Sequence, residues 1–596
     1  MQRIIALGLL LLMMAGCGQD PDSEGGGDAD DLSQNLHFAS PSDRADDKIV
    51  DLSYIVSFRN ILDEAQQNFG DFHQSFRAHA LALSQRWARP SSFGSFRYLS
   101  TLNLSDLGSS FAAARQISVS PWLRQRPAQT SQLASLVEIK FNSEDQAQAT
   151  LTQWYKERRI WFAEPNFKSD VSGDIEDNVI AKFGSRNNVP WLEQINFFQA
   201  LENLATVADK AQPLIAVMDS GVDVEHPALK EAIYANEASQ NKLCKGDLYG
   251  CNTTKVKGDE LGNGKVFPVG TSEFGQSCSV LGDDELKGRC EHGTHVAGII
   301  AARDNDQVTG ICPYCRILVV SVVDIESKGG KVKFVIPDVA ILAGLAYVSG
   351  FKESGQPLVR VINASFGKFD RSRSVELFVR ALRKFSRGTL MIAAAGNEDT
   401  MRRQYPAAFE DVLSVANVEN SLEKPIKARS SNFGSWVKIA APGDGLCEGT
   451  GGAGILSSAP GAAYVCKVGT SMASPVTAGV AGLLLTAHPE LSADAVADRL
   501  IDTAIPDILY QDGMNNAYRP TIKGKVVPLL GAGIVNALGV LRPEDDLSPS
   551  IATRREDRVQ PGCGRIGGGS ASRASAAVWC LSLPLLWMVI RRRKAA

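Results

Sequence analysis

Ser471 lies in the segment GTSMASP, Gly469 to Pro475, at the start of an apolar, Ala/Gly-rich helical pattern. A serine hydroxyl there can be a nucleophile, but only with a base to take its proton and a carboxylate to orient that base. His292 and Asp219 are of the right types, in segments that could present them. Asp219 closes the apolar run Leu214 to Met218, LIAVM, which reads as a buried parallel strand. Its carboxylate is thereby delivered at the strand's carboxyl end, beside the turn pair Ser220-Gly221, where clefts of open α/β sheets form. His292 begins HGTHVAGIIAA, a stretch of small residues suited to a closely packed helix. The pattern predicts His292 at the exposed amino end of that helix and His295 on its packed side. Asn397 ends a second buried strand, MIAAAGN, with an amide NH2 able to donate to a developing oxyanion.

Taken one at a time, an Asp after a strand is a turn residue and a Ser before a helix is an N-cap. The joint pattern is what points to chemistry. The pair His292 and His295 lacks the glutamate of HExxH, which argues against zinc, and GTSMA lacks the closing glycine of the GxSxG elbow, which argues against an α/β-hydrolase esterase. The 596 residues are 44% hydrophobic with a net charge of -4, enough to bury a large core. Basic and acidic residues are interspersed with no basic stripe, so no nucleic acid partner is expected.

From Pro213 onward strand and helix patterns alternate, which implies a parallel sheet with helices on both faces. Before it, residues 45–170 carry the strand pattern Val50 to Phe58, a helical stretch to Trp87, LVEIKF from Leu136, a helix from Ser143 to Arg158 and the segment IWFAEPNF from Ile160. Such strand and helix units suit a small α+β domain. A charged and then apolar amino terminus ending in Met14-Ala15-Gly16-Cys17 reads as an export signal, residues 1–17. Residues 18–44 read as a flexible tether. Export permits disulfides, and eight cysteines fall between residues 244 and 466. Connectivity cannot be deduced from sequence, but clustering suggests near-neighbour loops: Cys244 with Cys251, Cys278 with Cys290, Cys312 with Cys315, and Cys447 with Cys466. The Cys312 to Cys315 spacing could also be a redox pair, although it precedes a strand and not the helix start such a pair needs. Residues 542–573 read as a polar linker, and 574–596 as an apolar anchor closed by the basic run Arg591 to Lys594.

The order of DSGVDVEHP, HGTHVAG, AAAGN and GTSMASP resembles the subtilisin family of serine proteases over roughly residues 190–541. That resemblance implies an α/β fold, a subtilisin-like parallel sheet preceded by a small α+β propeptide domain, and an exported endopeptidase acting on protein or peptide substrates. Carried over residue by residue, Asp219 orients the imidazole, His292 is general base and acid, Ser471 attacks, and Asn397 supplies the oxyanion-hole amide. In VINASFG, Val361 to Gly367, the residues Ser365, Phe366 and Gly367 match the substrate-binding strand. No cofactor is required; structural calcium belongs to the expectations, without located ligands. Ala163-Glu164-Pro165-Asn166 resembles the close of family propeptides, which inhibit their own enzyme, with a substrate-recruiting module as the alternative reading.

The cut should then fall in Ser169 to Asn188. Met14 to Cys17 resembles a bacterial lipobox with Cys17 lipidated, the alternative being a plain secretory signal. The carboxyl end resembles a sorting signal, the alternative being a plain membrane anchor. A catalytically silent binding protein, or an esterase or peptide ligase, stands beside the protease reading; a fluorophosphonate label on Ser471 and a comparison of ester with amide substrates separate these.

The two ends yield a prediction. A lipid on Cys17 leaves with the propeptide once it is cut, so only the carboxyl end retains the mature enzyme. Deleting residues 561–596 is expected to release mature enzyme into the medium, whereas Cys17→Ala should chiefly loosen the precursor. Blotting of fractionated cells checks both.

Overall fold

A computed structural model describes residues 35–40, 48–58, 93–98, 136–157, 159–171 and 190–542, except for 208, 237–243, 255–261, 304–306, 329–330, 354–355, 385–386, 420–425, 448–451, 507–520, 523–524 and 527. The export signal with Cys17, the stretch expected to be helical up to Trp87, the region after residue 171 expected to be cut, and the linker and anchor from 543 onward lie outside the described residues.

The amino-terminal module is built from β1 (Ile49–Phe58), β2 (Phe93–Tyr98), β3 (Leu136–Phe141), α1 (Glu144–Lys156) and β4 (Ile160–Val171). Its β1 is the centre, antiparallel to β3 through Tyr54 and Ile139 and to β4 through Ile55 and Glu164. Helix α1 begins where Ser143 accepts the Gln146 N–H at 3.3 Å. Ala147, Leu151 and Trp154, spaced by one helical turn each, form its buried face. Strand β2 falls within the stretch that separated the first strand from the rest in the sequence, and it pairs with β3. Residues 35–40, read as tether, pack on this module: Leu36 is buried and the His37 N–H donates to the Ala163 carbonyl at 3.0 Å.

The second sheet begins with β5 (Leu214–Asp219) and the short strands β6 (Cys244–Lys245), β7 (Gly250–Asn252) and β8 (Gly262–Asn263). After α2 (Asp284–Ala301) come β9 (Arg316–Ser321), the hairpin β10 (Asp324–Lys328) and β11 (Lys331–Pro337), and α3 (Asp338–Ser349). Next are β12 (Val359–Ala364), β13 (Phe366–Gly367), α4 (Arg373–Lys384), β14 (Leu390–Ala394), β15 (Val412–Glu419) and β16 (Ile439–Asp444). The hairpin β17 (Ile455–Ala459) and β18 (Ala463–Lys467) leads into α5 (Thr470–Ala487) and α6 (Ala493–Asp502). The order across the sheet is β16-β15-β14-β12-β5-β9-β7-β8-β6. From β16 to β9 every pairing is parallel, and β5, β12 and β14 are buried at every position, which is why they read as unbroken apolar runs. Helix α5 is long and apolar enough to cross a membrane by length and composition, yet it is almost wholly buried, so its apolar length serves the core.

All four near-neighbour disulfides are formed. Cys312 to Cys315 closes just before β9, not at a helix start. The first pair does more than tie a surface loop, because Cys244 and Cys251 lie on β6 and β7, which extend the sheet beyond β9.

The module docks on the amino ends of two helices. Glu164 accepts from the backbone N–H groups of Arg373 at 2.9 Å and Ser374 at 3.1 Å, and from the Ser372 and Ser374 hydroxyls. Asn166 Oδ1 accepts from the Val339 N–H at the start of α3. These carry the donors that every helix leaves unpaired in its first turn. Lys368 reinforces the junction: its ammonium pairs with the buried Asp338 and lies 4.9 Å from the Phe167 ring centroid. Replacing Glu164 by Ala should lower the unfolding free energy of the uncut chain by about 2 kcal/mol, the scale of a lost cap plus uncovered donors. Urea unfolding of a Ser471→Ala chain measures it.

Candidate active site

Asp219 is the last residue of β5, and the parallel sheet opens its cleft at that end. Its Oδ1 accepts from the Ser220 N–H at 2.7 Å and faces His292 Nδ1 at 2.8 Å. Both side chains are buried. The expected position of His292 at an exposed helix start is corrected here: α2 begins eight residues earlier, where Asp283 caps the Leu286 N–H, and His292 lies inside the helix at 3% exposure. The run Asp284–Glu291 is polar and was not legible as helix because its outer face is solvated. A glycine explains how a mid-helix histidine reaches the strand end. A methyl at Gly293 would lie 2.2 Å from the Gly221 carbonyl oxygen, so only glycine lets α2 come that close.

With Nδ1–H donated to Asp219, His292 Nε2 is left as an acceptor, and among the described residues it has no partner. Ser471 is the second residue of α5. Its hydroxyl donates to the Ser365 carbonyl at 3.1 Å, while the Ser365 hydroxyl donates back to the Ser471 carbonyl at 2.9 Å. Asn397 sits beside the same helix start. Its Oδ1 accepts from both the Thr470 N–H and the Thr470 hydroxyl at 2.9 Å, which fixes the amide orientation. Nδ2 is therefore the buried donor without a partner among the described residues. Gly469, at φ +135°, makes the room: a methyl there would stand 2.8 Å from Nδ2.

Along the cleft, the tail of β4 is an added strand. Gly367 pairs with Asp170 and Phe366 with Val171 on one side, while Ile336 pairs with Ser169 and Pro337 with Lys168 on the other. Arg289 holds the Asp170 carboxylate, with Nη2 to Oδ2 at 2.9 Å. The structure pairs His292 with Asp219, and at the start of α5 it groups Ser471, Asn397 and Ser365, with Phe366 and Gly367 next along the chain. The docking roles of Glu164 and Asn166 were not readable in the sequence, since nothing local says that a helix start lies across from them.

Of the charges after Asn397, Asp399 is paired with Lys427 at 2.7 Å, and Arg402 stacks 4.2 Å from the Phe369 ring, so neither is an isolated field in the cleft. Among the described residues no group of three or more His, Cys, Asp or Glu side chains could hold a metal ion. His295 is no ligand partner for His292: its Nε2 faces the Ile455 and Val465 carbonyls at 3.0 and 3.1 Å, pinning α2 to the β17 and β18 hairpin.

Against this geometry the comparisons are consistent. Residues 210–537 match the Subtilase family. The chain is 33% identical to subtilisin DY of Bacillus licheniformis over 36% of its own length and 70% of that protein. It is 32% identical to a thermostable alkaline protease of Halalkalibacterium halodurans, over 39% of this chain and 57% of that one. Fervidolysin from Fervidobacterium pennivorans, described as a keratinolytic enzyme related to subtilisin, superposes with a TM-score of 0.52 at 19% identity, covering 86% of this chain and 63% of that one. That likeness shows a shared fold. The chain belongs to the subtilase family of serine-type endopeptidases.

Burial holds the His295 imidazole well below its ordinary value of 6.5, and the charges of Lys467 and His292 act in the same direction. A proton added at Nδ1 would find no acceptor among the described residues, where that buried atom is without a partner. Because the unfolded chain binds this proton more readily, the stability His295 confers is complete above about pH 6.5 and is lost as pH falls below it. In thermal melts from pH 8 to 5, His295→Gln is expected to show a shallower acid decline than the parent, compared in a Ser471→Ala background.

Proposed function

We propose that this chain is an exported endopeptidase that cleaves peptide bonds through an acyl-enzyme and is made as a precursor that processes itself. The observation that carries this reading is the tail of β4, the chain's own backbone laid as a strand along β13 toward Ser471. An extended peptide bound there gains affinity from main-chain hydrogen bonds.

In the proposed cycle, Ser471 turns about χ1 from the Ser365 carbonyl to His292. Its oxygen attacks the substrate carbonyl as Nε2 takes the proton. Asp219 keeps Nδ1–H in place and stabilises the imidazolium. The carbonyl oxygen, now negative, is received by Asn397 Nδ2 and the Ser471 backbone N–H, a contribution of about 3 to 4 kcal/mol per donor in comparable sites. As the carbon–nitrogen bond breaks, the imidazolium protonates the leaving amine. Water then attacks the ester with the same histidine as base, restoring the serine hydroxyl.

The module of residues 45–170 acts in this reading as a propeptide that occupies the cleft as a product would. Lipid on Cys17 and an anchor at 574–596 complete the proposal and place the enzyme at a cell envelope; support for them is in the sequence alone. Structural calcium remains an expectation without assigned ligands.

Ser471→Ala is expected to abolish hydrolysis and to leave the purified precursor uncut. Amino-terminal sequencing of the active enzyme should place the cut between Ser169 and Asn188. Complete processing of the purified Ser471→Ala chain in isolation would refute self-cleavage.

A further inference from the structure

We propose that Gln404 sets the substrate preference of this site by filling the recess that would take the side chain preceding the scissile bond, so that the enzyme cleaves after small residues: Gly, Ala or Ser. The inference rests on the peptidase reading above and specifies its substrate.

The location of the recess follows from register. In the antiparallel pairing, Asp170 is opposite Gly367 and Val171 opposite Phe366. A peptide that continues this register by one residue puts that residue opposite Ser365, whose carbonyl accepts from the Ser471 hydroxyl at 3.1 Å. Its own carbonyl is then the one within reach of the nucleophile. Residues two apart on a strand face the same side, so the side chain opposite Ser365 points to the side on which Gly367 would carry its own. The opposite wall is the segment before the oxyanion donor, Ala395-Gly396-Asn397.

Gln404 stands between these walls. A methyl at Gly367 would lie 2.8 Å from Gln404 Cγ, and one at Gly396 would lie 1.4 Å from Gln404 Oε1. One side chain therefore lies against both glycines, while the φ of +100° at Gly396 and Asn432 Nδ2 at 2.4 Å from a methyl there independently favour glycine at that position. Gln404 is only 4% exposed and is held from two directions. Its neighbour Tyr405 exchanges backbone hydrogen bonds with Lys368, at 2.7 and 2.9 Å, which continues β13. Asn432 Nδ2 donates to Gln404 Oε1 at 3.2 Å and to the Ala395 carbonyl at 3.0 Å, tying the amide to the far wall. A substrate residue as large as Leu or Phe meets an occupied space with fixed occupants. In sequence, Val171 is followed by Ser172 and Gly173, both of the small kind.

The test uses the processed enzyme and peptides that differ only in the residue preceding the scissile bond, with kcat/KM as the readout. The parent should favour Ala or Ser over Phe by at least about tenfold, the lower end of what a steric mismatch in a pocket produces. Gln404→Gly should raise the Phe to Ala ratio by about tenfold or more. Gln404→Met, which refills the space without the amide, should keep the parental ratio. A parent that cleaves after Phe as well as after Ala overturns the proposal, as does a Gln404→Gly ratio that does not move while thermal melting shows the variant folded. Absence of Ser471-dependent cleavage for every peptide overturns the peptidase reading itself, and is thereby told apart from a failure of the Gln404 assignment.

Discussion

The close approach of α2 to the turn after β5 is the constraint on which the site depends. Gly293 lies against the Gly221 carbonyl with no room for a side chain, and one residue earlier the imidazole of His292 meets Asp219 at 2.8 Å. Everything that gives this pair chemical meaning is arranged around that contact. The sheet fixes β5 by parallel pairing on both sides, and the hairpin β17 and β18 fixes α2 from behind through His295. Among the described residues the second nitrogen of this buried imidazole has no partner, which costs free energy unless something binds there.

A second constraint is the open edge of β13. Two residues of strand with no partner would expose backbone groups in a cleft, and here the tail of β4 covers them. The same strand belongs to the amino-terminal module, so sheet formation in the module and occupation of the cleft are one structural event. Glu164 and Asn166 settle its position by capping α4 and α3, and Lys368 links the two parts through Asp338 and Phe167. Asp338 is fully buried at this junction, and that burial raises its carboxyl to about 6 even with Lys368 beside it.

Two kinds of information decided how far the sequence could be read. Buried parallel strands such as Leu214–Asp219 and Val359–Ala364 announce themselves because both faces are apolar, and their carboxyl ends then locate Asp219 and the cleft. The near-neighbour disulfides agree with what the clustering of eight cysteines suggested, although the sequence alone left their connectivity open. By contrast, the first turns of α2 are polar and solvated, so the helix seemed to start at His292. The strands β6 to β8 are two or three residues long, too short to have a period, and only their pairing onto β9 makes them part of the sheet.

The sequence by itself determined the residue types of the site, the strand and helix segments that carry them, and the family they resemble, because four motifs in one order are local patterns that survive without contacts. What only the tertiary structure decided are the relations between distant segments. Asn397 becomes a donor of known orientation because Thr470, 73 residues on, holds its oxygen. Glu164 becomes a cap because α4 starts beside it, about two hundred residues later in the chain. Gln404, an unremarked residue in a loop, comes to lie against both Gly367 and Gly396 because β13 and the Gly396 segment close around it. Such roles depend on chain crossings that no local pattern encodes, since a hydrogen bond or a steric limit belongs to a pair of positions and not to either one.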